Sequence, residues 1–366
     1  MITIEPNKEL FTAYAGLTAA GYDLADKNDE DIAGLCRHIR EMHYPQSVID
    51  YFANARTNQN KVNPYWPRGS LLSSACFFIS GKRTSRYETF EDLLQFVHSL
   101  HNINQKEIND EVINWLQQLP RFIDVITSND GFDELWRKYR RIIDMRMENY
   151  TKVLDLADQG IRDFGTNSSL KFPDILFSPN LLQSPYLADF VTKGNNLFII
   201  KTAPDILSII HESLHSVISL QREYFKEYVR KHDFAKIADA GKLSSSGYMW
   251  NESEESMINV LEESFVRGIS IAVTAKVSDF KQIDNYVRWD LAAGFILVPI
   301  IVQHARNNMP DGENIRDFVR ADFKINVFGN PYANKQTADC KKNTQGKRNR
   351  LDKCSARAFT PKVSVA

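Results

Sequence analysis

Four cysteines in 366 residues are too few for a disulfide scaffold. Cys36, in Ile32-Ala-Gly-Leu-Cys-Arg-His-Ile39, and Cys76, in Leu71-Leu-Ser-Ser-Ala-Cys-Phe-Phe-Ile79, have the surroundings of small buried residues. Cys340 and Cys354 flank a basic segment and could bridge, but no His or Cys partners suggest a second metal site there. Long apolar runs are also missing. The longest, Leu291 to Val302, has 12 residues and contains Gly294 and Pro299. It is too short to span a bilayer and reads as a core helix. Charge of one sign is missing as well, with 45 Lys/Arg against 46 Asp/Glu. The opening Met1-Ile-Thr-Ile-Glu-Pro-Asn-Lys8 has neither a basic nor an apolar leader segment, so a cytoplasmic location is the default expectation. A hydrophobic share of 43% and a charged share of 25% fit a soluble globular chain.

Helical periodicity dominates residues 1–130. Leu10, Phe11, Tyr14 and Leu17 form one apolar stripe, Ile32, Leu35, Cys36 and Ile39 another, and Leu93, Leu94, Val97 and Leu100 a third. Pro45, Pro64, Pro67 and Pro120 mark breaks between these segments. From Phe132 to about Asp158, Leu135, Trp136, Tyr139, Ile142, Ile143 and Met147 predict a long helix. After a loop at Gly165–Ser169, Phe172–Phe177 reads as a strand, and Asn195–Ile200 as another behind the turn signal Lys193-Gly194. The fold class expected is α+β, mainly α. A helical region 1–130 precedes a domain 131–334 with a small sheet and two core helices. Residues 335–366 carry 9 Lys/Arg against 2 Asp and few large apolar side chains, which reads as a flexible basic tail. Without interleaved aromatics or a recognisable binding module, that tail does not argue for nucleic acid.

Histidine is scarce at 8 residues, and two of the eight stand in His211-Glu212-Ser213-Leu214-His215. A chance H-E-x-x-H is expected in about one chain in a hundred of this composition. On a helix, side chains four apart share a face, so both imidazoles can bind one metal ion. Glu212 then stands beside the water position, where it can act as general base. The flanks predict that helix. Thr202-Ala-Pro-Asp205 supplies a Thr cap, an early proline and an acidic residue, and Leu207, Ile210, Leu214, Val217 and Ile218 recur at helical spacing. His98 and His101 are three apart but lack nearby carboxylate or thiolate ligands. They, with His38 and His43, read as satisfied or solvated.

A hydrolytic zinc ion normally takes three protein ligands and leaves a fourth position to water. No Gly or His follows His215 at His-x-x-Gly-x-x-His spacing, so the third ligand should be a carboxylate from a second helix. Met257–Val273 is apolar around most of its circumference, yet Glu262 and Glu263 lie in its middle. A buried carboxylate is costly unless a cation compensates it. Glu263 is preferred because Arg267, one turn on, could orient it, and Glu262 stays open as the second choice. The polar stretch Trp250–Ser256 looks like the helix entry.

These residues resemble the gluzincin branch of zincin metallopeptidases, in which H-E-x-x-H is completed by a downstream glutamate. More narrowly, His211-Glu-Ser-Leu-His-Ser216 with Glu263-Ser-Phe-Val-Arg-Gly-Ile269 looks like a poorly characterised bacterial group of zincin-like proteins. Ile4-Glu-Pro-Asn-Lys-Glu-Leu10 and Gly131-Phe-Asp-Glu-Leu-Trp136 look similar too. The resemblance implies a zincin fold, Zn²⁺ and hydrolysis of a peptide or protein substrate, which such folds can hold along an edge strand. Tyr248, His232 and Arg267 are candidate donors to the oxyanion. The rival expectation is a catalytically idle zincin-fold binding or regulatory protein.

Overall fold

The computed structural model describes residues 2–62, 70–79, 110–165, 172–193, 195–231, 253–278, 282–293, 295 and 297–307. The third expected stripe, His98, His101, Pro64, Pro67, most of the Gly165–Ser169 loop and the basic tail with Cys340 and Cys354 lie outside the described residues. The chain divides into two compact units that interleave in sequence, whereas the sequence segments follow one another. The first unit comprises Met1–Asp155 and Pro173–Asp205, and the second Leu156–Phe172 and Ile206–Ala366.

In the first unit, a two-residue strand β1 (Thr3–Ile4) leads into helices α1 (Lys8–Ala19), α2 (Glu30–Glu41), α3 (Gln46–Ala53), α4 (Ala55–Val62) and α5 (Ser70–Ile79). Two more, α6 (Asp110–Gln117) and α7 (Leu119–Thr127), precede α8 (Phe132–Gly165), a 34-residue helix that the unit boundary cuts after Asp155. Asn7 and Asp29 cap α1 and α2 by accepting from Leu10 N and Ile32 N. The first two expected stripes are buried as complete sets, Leu10, Phe11, Tyr14 and Leu17 on α1 and Ile32, Leu35, Cys36 and Ile39 on α2. Phe11 packs among Phe132, Trp136 and Tyr139, with ring centroids 5.9, 5.4 and 4.4 Å away. Such aromatic pairs add to the burial energy of each ring.

The sheet of this unit runs β1-β2-β4-β3, with β2 (Asp174–Pro179), β3 (Asp189–Lys193) and β4 (Asn196–Lys201). β1 and β2 are parallel, as are β2 and β4, where Ile175 faces Leu197 and Phe177 faces Ile199. β3 closes the far edge antiparallel to β4, from Asp189↔Ile200 to Lys193↔Asn196. β2 is shifted two residues from the expected strand, and β1 and β3 were not expected at all. β1 is too short to show alternation, and β3 gains its identity by pairing with β4 rather than by its own pattern.

In the second unit, α9 (Ile206–Ile218) passes through a 3₁₀ turn into α10 (Arg222–Lys231). Then follow α11 (Glu254–Val277), α12 (Ile283–Ala292) and α13 (Val298–Asn307). α9 begins later than its flank suggested. The Thr202 hydroxyl donates to the Gln183 carbonyl at 3.1 Å instead of capping, and Asp205 pairs with Lys201 at 2.6 Å. The run Leu291–Val302 is not one core helix. It is divided between the end of α12 and the start of α13, with Pro299 in the first turn of α13, where its missing N–H costs nothing. α11 packs against α9, α10 and α13. Two glycines allow close approach. A Cβ on Gly268 would lie 2.4 Å from Ile301 Cγ2, and one on Gly160, in the last turns of α8, 3.0 Å from Ile210 Cδ1 and 3.1 Å from Val273 Cγ1. Among the described residues, no helix is long and apolar enough to cross a membrane.

Candidate metal centre

α9 buries Ile209, Ile210, Leu214, Val217 and Ile218 and leaves His211, Glu212 and His215 only half-buried. Ser213 and Ser216 spend their hydroxyls locally, donating to the Ile209 and Ser213 carbonyls. The two rings meet edge-on at 5.0 Å, with their Nε2 atoms 3.3 Å apart.

α11 supplies the facing group. Ser253 caps it by accepting from Ser256 N, and Glu254 and Glu255 occupy its first turn, where acidic side chains suit the helix dipole. From Ser256 to Ser270 every side chain but Asn259 and Arg267 is buried, Glu262 and Glu263 among them. The two glutamates part ways. Glu262 accepts from Arg222 Nη1 at 2.9 Å and from the Ser219 hydroxyl, while Arg222 Nη2 also donates to Asn259 Oδ1 at 2.9 Å and binds Glu255. Glu263 turns to the histidines, with Oε1 3.5 Å from His211 Nε2 and Oε2 3.3 Å from His215 Nε2. His211, His215 and Glu263 are the one group of this kind among the described residues, each offering a ligand atom within 4.8 Å of the others. Glu263, not Glu262, is therefore the carboxylate that joins the imidazoles.

The donor spacing fits a small divalent cation. Ligand atoms bound tetrahedrally at about 2.0–2.1 Å are about 3.3 Å from one another. The two imidazole nitrogens match that edge at 3.3 Å, and each faces its own oxygen of Glu263, His211 Nε2 at 3.5 Å from Oε1 and His215 Nε2 at 3.3 Å from Oε2. Two imidazoles and one carboxylate are also the donor types that zinc takes with a fourth position left open. The electrostatics agree. Burial alone disfavours the His215 imidazolium, yet its hydrogen bond to Glu263 and the charges of Glu263, Glu212 and Glu262 carry its pKa up to about 9. Burial likewise raises Glu263, but Arg267, His211 and His215 outweigh it and hold this carboxyl well below the usual range. Three carboxylates thus concentrate negative potential where the imidazole nitrogens converge.

Arg267 takes part as the sequence suggested, and in more ways. Its Nε donates to Glu263 Oε1 at 2.7 Å, and its Nη1 donates to Asp290 Oδ1 at 2.5 Å. Its guanidinium lies 4.3 Å from the centre of the Phe295 ring. This is a half-buried, shared cation rather than a surface ion pair, and its engagement with two carboxylates speaks against service as an oxyanion donor. His232 and Tyr248 lie outside the described residues. Glu212 follows His211 directly, and its Oε2 is shielded from solvent. Asp290, Phe295, Ser219 and Arg222 were not singled out in the sequence. Asp290 carries a signal in hindsight, because it interrupts the buried row Val287, Asp290, Leu291 of α12 with a charge. No protein-family profile, curated protein or solved structure matches the chain.

Proposed function

We propose that this chain is a zinc-dependent hydrolase, a metallopeptidase of gluzincin type acting on a peptide or protein. His211, His215 and Glu263 are the metal ligands and Glu212 is the general base. The observation that carries this reading is the convergence of two imidazole nitrogens, 3.3 Å apart, on the two oxygens of one carboxylate at 3.3 and 3.5 Å, with the glutamate of the same motif beside them. Zinc bound there would polarise a substrate carbonyl and lower the pKa of a coordinated water toward about 7.

The protein's own groups do the remaining work. Glu212 accepts the proton of the attacking water at its carboxylate and returns it to the departing amine, so one residue serves both halves of amide cleavage. Glu263 stays ionised because Arg267 and the two histidines stabilise its charge, and Arg267 Nε fixes the direction of its Oε1. The two histidines keep their mutual geometry because the helix between them is anchored by the buried Leu214 and by Ile210 and Val217 on either side.

Glu212→Gln tests the assignment. The amide keeps the shape but cannot take a proton, so zinc content should persist while peptide hydrolysis falls by about 10²–10⁴-fold. Retained turnover in the zinc-loaded variant would remove Glu212 from the mechanism. A zinc-loaded wild type that cleaves no peptide would favour the idle, binding-protein alternative.

A further inference from the structure

Arg267 lies between two carboxylates, and the second of them comes from a different helix. Asp290 is in the last turn of α12 and is 8% exposed, so its charge is removed from water and answered by Arg267. Phe295, whose ring lies under the same guanidinium, is tied to Asp290 through the backbone, its N–H donating to the Asp290 carbonyl at 2.8 Å. Ala293 N donates to the Trp289 carbonyl at 2.8 Å and Val298 N to the Phe295 carbonyl at 3.1 Å. A hydrogen-bonded corner between α12 and α13 thus presents an acid and an aromatic ring to one guanidinium. A planar fork can bind two carboxylates in fixed directions, which an ammonium cannot do.

This arrangement bears on the metal ligand. If Arg267 answered Glu263 alone, its full positive charge would draw electron density from the carboxylate and oppose a dication nearby. Asp290 takes up part of that charge and also fixes where Nε points. We propose that Asp290 is a positioning residue of the metal centre: acting through Arg267, it orients Glu263 and preserves its strength as a ligand. The inference rests on the metal-site reading and adds to it a residue 27 positions beyond the ligand it serves.

Zinc affinity measured by competition with a chromophoric chelator, and the visible spectrum of the cobalt-loaded full chain, test it. Asp290→Asn should weaken zinc binding by about 10–100-fold, the usual effect of losing an outer partner of a ligand, and should alter the cobalt bands. A folded Asp290→Asn chain with wild-type affinity and spectrum overturns the proposal and leaves the metal site standing. A wild-type chain that takes up no zinc overturns both. Should Asp290→Asn fail to fold, Arg267→Lys gives the same reading. It keeps the charge but loses the fork, so weaker binding with altered bands supports the proposal, and unchanged values overturn it.

Discussion

Asp189, the first residue of β3, holds a carboxyl enclosed by the first unit. Gln183 Nε2 donates to its Oδ2 at 3.4 Å, Ser73 hydrogen-bonds to it, and Ser73 Oγ is in turn 2.8 Å from the Tyr14 hydroxyl. Among the described residues, no cation accompanies these neutral groups as a hydrogen-bond partner. Burial pushes the pKa from 3.8 to about 7, with the Ser73 contact opposing the shift. A rise of roughly three units corresponds to about 4 kcal/mol between the two protonation states. The folded pKa lies above the unfolded one, so this group's contribution is most favourable below about pH 4 and is lost as pH rises to about 7. Asp189→Asn keeps the shape, can still accept from Gln183 and never ionises. The variant should therefore exceed wild type in stability by up to about 4 kcal/mol at about pH 8, with the gap closing toward pH 4. Urea unfolding of both chains across that range, followed by circular dichroism, measures it. A gap that does not change with pH, or a variant less stable than wild type at pH 8, would refute the reasoning.

Packing in the second unit gives another expectation. In Gly268→Ala the new methyl would lie 2.4 Å from Ile301 Cγ2 and 2.7 Å from Ile301 Cβ, an atom fixed to the backbone of α13. Overpacking of about 1–3 kcal/mol should outweigh the helix-propensity gain of about 1 kcal/mol, so the thermal midpoint should fall. Adding Ile301→Ala should cost less than the two single changes together. In the first unit, the buried Tyr139 hydroxyl donates to the Pro179 carbonyl. Tyr139→Phe should lose about 1–3 kcal/mol in denaturant unfolding, since a buried acceptor is deprived of its donor.

Local signals made much of the architecture legible. Apolar residues at i, i+3 and i+4 identified α1, α2, α8, α9 and α11, because a helix must bury one stripe whatever it meets later. The His211–His215–Glu263 cluster was legible for a related reason. His211 and His215 are set by helix geometry alone, and Glu263 was singled out because an acid in an apolar helix needs a cation and Arg267 stood four residues on. Choosing it over Glu262 depended on neighbours far along the chain, since Ser219 and Arg222 draw Glu262 away from the histidines. β3 was hidden because its pairing is supplied by β4. Asp290 was hidden because its bond to Arg267 spans 23 residues, which no local pattern encodes. The run Leu291–Val302 misled for the opposite reason: continuous hydrophobicity reports burial and is silent about where a helix ends.

Metal content of the purified full chain tests the central claim most directly. The account predicts about one zinc per wild-type chain, near-complete loss in His211→Ala and in Glu263→Ala, and retention in Glu262→Gln, whose parent side chain binds Arg222 instead. Wild-type protein that holds no zinc under zinc-replete conditions, or Glu263→Ala that holds as much as wild type, would contradict it.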